Sequence, residues 1–357
     1  MHRIVIVGGG AGGLELAARL GNKRSGSNAA WKVTLIDRHS THIWKPLLHE
    51  LAAGSMDPYA EELSYAAQAN WHGFEFTKGE LTKVDREHRT LTLAPLLTVD
   101  GEMLVPQRVA EYDTLILAIG STTAYFGVPG AAEHCIALDT PAQAEMFRTK
   151  MLDACIKAEY REEKHIPEKR PGADDRLESS EDKQRGIRIV IVGAGATGVE
   201  LAAELRNTAR VLSRYGLHRL DPVHDVGIVL LDGASRILSA LSERVSIATA
   251  RLLRKRSVEV VTGEAVAVVD AATVKTKSGC VINADIVVWA AGIKAPNVLS
   301  TIEGLEFSRM GQVVVDPSLR STRDPKIFAL GDCAACPPKR ARSRIVAIAI
   351  NRQIVAP

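Results

Sequence analysis

The hydrophobic pattern of this chain is used twice. Residues 4–20 read IVIVGGGAGGLELAARL and residues 189–205 read IVIVGAGATGVELAAEL, identical at 13 of 17 positions with a constant offset of 185. In each copy a β-branched run leads into G-x-G-x-x-G and then into apolar residues at helical spacing. That order predicts strand, tight loop and helix, the opening of a dinucleotide-binding βαβ unit. The first glycine makes the turn, the second lets backbone approach a pyrophosphate, and the third lets helix and strand pack closely. Phosphates then meet free N–H groups at a helix N-terminus. The glycines concerned are Gly8, Gly10 and Gly13, and Gly193, Gly195 and Gly198.

The rest of the pattern fits two such units. Residues 31–37 (WKVTLID) predict a second strand ending on Asp37, 24 residues after Gly13. A carboxylate there accepts hydrogen bonds from an adenosine ribose, each about 1.5–3 kcal/mol. Residues 227–231 (GIVLL) end the same way on Asp232, which favours an unphosphorylated ribose and so NADH over NADPH. Residues 73–99 alternate polar and apolar and predict antiparallel strands. Residues 112–120 predict a buried strand with Thr114, Ala118 and Gly120 in a T-x-x-x-A-x-G spacing that recurs where a strand meets a flavin. Residues 285–289 end at Ala290-Ala291-Gly292, a small-residue turn open to a cofactor. Residues 312–316 and 327–330 predict strands, the latter ending in Gly331-Asp332 before a helix. A carboxylate at that point suits a cofactor's sugar-alcohol chain, and it equally suits a helix N-cap.

The expected fold class is therefore α/β, two Rossmann-like dinucleotide-binding domains. Residues 1–130 and 304–357 are assigned to the first dinucleotide-binding domain and residues 187–303 to the second. Between them, residues 131–186 hold a helix and a charged segment. Residues 161–185 carry 15 charges in 25 residues, of both signs, and predict a solvated insertion.

Composition narrows the partners. A net charge of +3 is too balanced to argue for nucleic acid. Five cysteines, an odd number, argue against a disulfide framework and for a reducing compartment. The first strand begins within three residues of Met1, its IVIV run is too short for a signal h-region and is followed at once by glycines, and no apolar run approaches 18 residues.

Two dinucleotide sites in one chain suggest a relay in which a nicotinamide reduces a flavin, with the protein positioning both. The acceptor is the open question. No cysteine pair lies in residues 41–54, and residues 187–302 hold only Cys280. The one C-x-x-C is Cys333 to Cys336, which reads first as small buried residues, although a helix N-terminus would lower a thiol pKa. Zinc lacks a second Cys/His pair, so no metal is assigned.

The stretches HIWKPLLHELAAGSMD (42–57), WAAGIKAPN (289–297) and STRDPKIFALGDCAACP (321–337), with the two fingerprints, resemble bacterial type II NADH dehydrogenases. These belong with the pyridine nucleotide-disulfide oxidoreductase-like flavoproteins. They are single-subunit, non-proton-pumping NADH:quinone oxidoreductases at the entry of a respiratory chain. The resemblance implies that Gly8, Gly10, Gly13 and Asp37 hold the ADP part of FAD. It places Lys45 and Pro46 by the isoalloxazine, Ala118 and Gly120 at the flavin strand, and Gly331-Asp332 on the ribityl chain. Gly193, Gly195, Gly198 and Asp232 would hold NADH, with Ala291 and Gly292 on the nicotinamide side. Glu200 would relay protons to quinone. Against that role, Glu15 holds the same place in the first copy, where a helix dipole alone favours a first-turn acid by about 0.3–1 kcal/mol. The resemblance further implies a membrane quinone as acceptor, peripheral attachment to the inner face of the bacterial membrane, and a homodimer.

After GDCAACP the family continues into a quinone-site segment and membrane-binding amphipathic helices. Here the chain reads PPKRARSRIVAIAINRQIVAP, and divergence near Pro337 by truncation or frameshift is expected. The alternatives are an NADH-dependent flavoprotein reductase with a soluble acceptor, and an inactive flavin- or nucleotide-binding remnant.

Overall fold

The computed structural model describes residues 1–23, 30–57, 61–160 and 186–336. The charged segment 161–185 and the basic tail 337–357 lie outside the described residues. Two compact units form: Met1–Trp44 with Tyr59–Thr122 and Ile293–Pro357, and Lys45–Pro58 with Thr123–Gly292.

The first unit is built on strand β1 (His2–Val7), in which Ile4 to Val7 are each 3% exposed or less. β-Branched side chains suit a parallel strand covered on both faces. Helix α1 (Ala11–Asn22) buries Leu14, Leu16, Ala17 and Leu20 beside it, each leucine contributing up to about 1.5–3 kcal/mol. Strand β2 (Trp31–Asp37) pairs parallel with β1. The chain then supplies helix α2 (Leu48–Ala53) to the second unit before returning through helix α3 (Tyr65–His72). Strand β3 (Glu75–Lys78) joins the parallel sheet at β2, with Phe76 opposite Leu35. Strands β4 (Leu81–Asp85), β5 (Thr90–Leu93) and β6 (Arg108–Glu111) form a separate antiparallel sheet. Strand β7 (Thr114–Leu117) lies on the other side of β1, and strand Ile327–Ala329 closes that edge. The parallel order is thus Ile327–Ala329, β7, β1, β2, β3.

The second unit repeats this plan. Strand β8 (Cys135–Ala137) is followed by helix α4 (Pro141–Glu159), whose start is fixed by a Thr140–Gln143 capping box. Strand β9 (Ile187–Val192), helix α5 (Ala196–Tyr215), strand β10 (Val226–Asp232), helix α6 (Glu243–Lys255) and strand β11 (Val258–Thr262) follow. Strands β12 (Val266–Val269), β13 (Thr273–Thr276) and β14 (Val281–Asn283) form an antiparallel sheet, and β15 (Ile286–Trp289) returns to the parallel one. Its order is β8, β15, β9, β10, β11. Among the described residues no helix is long and apolar enough to cross a membrane.

Three details differ from the sequence reading. Residues 75–78 are parallel, not antiparallel, because α3 carries the chain back over the sheet before β3 begins; alternation specifies two faces but not a partner. The unit boundaries fall at 122/123 and 292/293 instead of 130/131 and 303/304, and residues 45–58 join the second unit. They do so because α2 buries Leu48, Leu51, Ala52 and Ala53 against α4 and α5, and Thr208 Oγ1 donates to the Ala53 carbonyl at 2.8 Å. Finally, Gly331-Asp332 opens a single 3-10 turn, Gly331–Cys333, that runs into a two-residue strand instead of a helix.

Candidate functional site

In the first unit, Gly8 has φ +104°, and a Cβ there would lie 2.3 Å from the Ala118 carbonyl oxygen. The turn after β1 therefore rests directly on the end of β7. A Cβ on Gly13 would lie 1.9 Å from the Gly8 carbonyl oxygen, so α1 can sit this close only with glycine. A Cβ on Gly10 would meet nothing within 4 Å. The space over the loop is open, as close approach of a pyrophosphate requires. Asp37 Oδ2 accepts the Gly9 N–H at 2.6 Å and Oδ1 accepts the His39 N–H at 2.8 Å, so the β2 carboxylate latches the fingerprint loop.

Ala118, Gly120, Gly331 and Asp332 belong to the same unit. Leu330 packs on Gly12, and Asp332 Oδ2 accepts Ser121 Oγ at 2.9 Å. Gln312 Nε2 donates to the Asp332 carbonyl at 2.9 Å. The turn bearing Asp332 is thereby fixed beside the start of α1, and this residue set fits the ADP and ribityl parts of FAD. The sequence reading missed Tyr65, whose hydroxyl donates to the Gly9 carbonyl at 2.8 Å. Its ring occupies the place of a Gly9 Cβ, and burial pushes its phenol far above the ordinary tyrosine range. A signal existed, since position 9 is Gly where the second copy has Ala194.

The second unit repeats the geometry. Gly193 has φ +107° and its Cβ would lie 2.5 Å from the Ala290 carbonyl. The Gly198 Cβ would lie 1.9 Å from the Gly193 oxygen, and Gly195 opens on free space. Asp232 Oδ2 accepts the Ala194 N–H at 2.5 Å, and Oδ1 accepts the Ala234 N–H at 2.7 Å. Gly193, Asp232 and Ala291 line one cavity of about 510 Å³, together with Phe126, Glu264 and Lys277. Gly292 is held to Ala124 by a backbone hydrogen bond of 3.0 Å, and its Cβ would meet the Phe126 ring at 2.5 Å. This cavity and its latched loop fit a nicotinamide dinucleotide.

Lys45 and Pro46 fall in the second unit, whereas the other residues that the resemblance gave to FAD fall in the first. Lys45 Nζ donates to Asp139 Oδ1 at 2.8 Å. Burial pushes the Asp139 carboxyl up, but hydrogen bonds from Lys45 and the Thr123 N–H outweigh it and hold it below the usual range.

Glu200 is the fifth residue of α5, and Glu15 the fifth of α1, so neither lies in the first turn. The helix dipole therefore does little for either acid. Their neighbours differ. Glu15 pairs with Arg19 one turn on, whereas Glu204 replaces that arginine in the second copy. Glu200 Oε2 instead stands 3.8 Å from His49 Nδ1. His49 Nδ1 also lies 2.8 Å from the Pro46 carbonyl, which only accepts, so Nδ1 carries the hydrogen. The His49 side chain is 11% exposed and that of Glu200 54%.

The two cysteines of the C-x-x-C differ in burial. Cys333 is fully buried, its thiol pushed up to about 11 by desolvation, and it donates to the carbonyls of Leu117 and Leu330. Cys336 Sγ points to the Asp316 carbonyl, and all the cysteines are free. Among the described residues no group of three or more His, Cys, Asp or Glu forms a metal-binding cluster.

Residues 2–351 match the pyridine nucleotide-disulphide oxidoreductase family model. A type II NADH:quinone oxidoreductase of Haemophilus influenzae is 42% identical over 94% of this chain and 74% of that protein. The chain belongs to the type II NADH:quinone oxidoreductases. The NdhA enzyme of Mycobacterium tuberculosis is 30% identical over 94% of this chain and 67% of its own length. Among solved structures, NDH2 of Plasmodium falciparum in complex with NADH superposes with a TM-score of 0.76 at 22% identity. It covers 95% of this chain, which spans 65% of the Plasmodium chain. A sulfide:quinone oxidoreductase of Aquifex aeolicus gives 0.74 at 16% identity, covering 99% of this chain and 77% of its own. Likeness at such identities concerns the fold, and both share the duplicated α/β plan of this type II chain.

Proposed function

We propose that this type II enzyme oxidises NADH through FAD and delivers the electrons to a membrane quinone, from a peripheral position on the membrane. FAD and NADH are its cofactors. The observation that carries the reading is the pair of latched, open-faced fingerprint loops in a chain 42% identical to a type II NADH:quinone oxidoreductase. FAD supplies the two-electron chemistry between nicotinamide and quinone. The protein's own work is positional. Gly10 and Gly195 leave room for a pyrophosphate, while Asp37 and Asp232 face the two riboses. Asp332, fixed by Ser121 and Gln312, orients the ribityl chain, and Ala291 and Gly292 line the nicotinamide end.

Quinone reduction consumes protons. Glu200, exposed on one side and backed by His49 on the other, holds and delivers them. A thiol acceptor is disfavoured by the burial of Cys333. The test uses the purified full chain. A flavin spectrum that bleaches with NADH under anaerobic conditions and returns on adding a quinone supports the assignment. Bleaching without return points to a soluble acceptor, and a chain that holds no flavin refutes the enzyme reading. Glu200→Gln is expected to slow quinone turnover at least about tenfold while flavin reduction by NADH proceeds at the parent rate. Equal rates of reoxidation in parent and variant would remove Glu200 from the mechanism.

A further inference from the structure

The cavity of the second unit holds two charged residues that the fingerprint does not explain, Glu264 and Lys277. Glu264 follows β11 by two residues, and its N–H donates to the Asp232 carbonyl at 3.0 Å. The Gly263 N–H donates to the Ala234 carbonyl at 2.7 Å, so the two strand-end loops run side by side. The Glu264 carboxylate is also fixed. Ser278 Oγ donates to its Oε2 at 2.6 Å, and hydrogen bonds from Ser278 and Thr276 hold it below the usual glutamate range. Lys277, between those two residues, is tied by its N–H to the Ala265 carbonyl at 2.8 Å. Asp232 is held as well, since each of its oxygens accepts a backbone N–H.

Asp232, Glu264 and Lys277 are the charged side chains lining the cavity, two acids against one base. Without Glu264 the lining would be neutral. We propose that Glu264, held in place by Ser278, is a second nucleotide-selecting residue, which with Asp232 repels a 2′-phosphate and makes the cavity prefer NADH to NADPH. The assignment rests on reading this cavity as the nicotinamide dinucleotide site.

The test measures binding of NADH and of NADPH to the full chain by calorimetry, independently of turnover. Glu264→Gln keeps the shape and an acceptor for Ser278 but removes the charge. It is expected to raise the NADPH-to-NADH affinity ratio about three- to tenfold at low salt, with a smaller change at high salt. Ser278→Ala, which frees the carboxylate, shifts the ratio the same way by less. Lys277→Gln moves it in the opposite direction. Asp232→Asn separates the two readings. If it shifts the ratio and Glu264→Gln leaves it within twofold of the parent, Glu264 is not a selector. If neither variant alters the binding of either nucleotide, the cavity is not the dinucleotide site and both readings fall.

Discussion

At the far end of the fingerprint helix the two units meet one packing problem with opposite residues. In the first, Gly21 lets the backbone of α1 touch the chain just before edge strand β3; a Cβ there would lie 2.1 Å from the His72 carbonyl oxygen. In the second, 185 positions on, stands Arg206, fully buried on α5. Its guanidinium donates to the Ser257 carbonyl, just before edge strand β11, at 2.8 Å, and to the Pro222 carbonyl. Burial lowers its pKa, and its Nε finds no partner. One unit closes the gap with bare backbone and the other fills it with a cation bonded to carbonyls. The same topology therefore constrains the contact made, not the residue that makes it. The phosphate loops differ far less, because there the backbone runs so close to a carbonyl that an added Cβ would lie about 2 Å from its oxygen, which only glycine avoids.

That contrast can be broken at its strongest point first. Gly13→Ala and Gly198→Ala each put a Cβ 1.9 Å from a carbonyl oxygen, a strain of about 3 kcal/mol at the loop. Gly13→Ala is expected to purify without flavin, whereas Gly198→Ala keeps its flavin spectrum and binds NADH at least about tenfold more weakly. Loss of both cofactors in both variants would show that the sites are not independent. The helix-end contacts come next. Gly21→Ala and Arg206→Met should each lower stability by about 2 kcal/mol in denaturant titrations, one by overlap and the other by stranding the carbonyls of Pro222 and Ser257. A smaller loss for Arg206→Met would mean that the cost of burying the guanidinium cancels its hydrogen bonds.

The smallest expected effect lies at the start of the first strands. The Arg3 and Arg188 N–H groups donate to Asp113 and Asp285 at 2.7 and 2.6 Å, in matching places. The side chains then part company: Arg3 turns back to Asp113, and Arg188 reaches Glu259. The Arg3 guanidinium holds the Asp113 carboxyl down, to about 2. Because the folded pKa is depressed, this contribution is present in full above the unfolded value of 3.8 and is lost as pH falls toward 2. Allowing for solvent screening, Asp113→Asn should cost about 1 kcal/mol at neutral pH, shrinking below about pH 4 in thermal melts.

Much of this architecture was legible because the chain states it twice. Both fingerprints, the strands ending on Asp37 and Asp232, and the small-residue ends at Ala118 and Ala291 are local patterns, and the α/β plan follows from them. What was not legible depends on partners distant in sequence. Residues 75–78 alternate like any strand, and only the preceding crossover decides that β3 is parallel. The motif around Lys45 and Pro46 says nothing about which unit its helix packs in. His49 carries no mark of its closeness to Glu200, which lies far along the chain, and Glu264 none of the Ser278 that fixes it across the antiparallel sheet. The reading of Glu200 as a first-turn acid failed by about one residue, the scale on which a helix start matters to a dipole.

The helix α2 that the first half of the chain lends to the second unit makes that unit inseparable from what precedes it. Residues 123–292, expressed alone, would leave the faces of α4 and α5 without Leu48, Leu51, Ala52 and Ala53, and Thr208 without its acceptor. During synthesis the order is reversed. The lent helix leaves the ribosome long before α5 exists, and it has to wait with its leucines unmatched. Completion of the second unit is thus tied to a segment made near the beginning, so an early pause or an N-terminal deletion reaching residue 48 would damage the later-made half as well as the earlier.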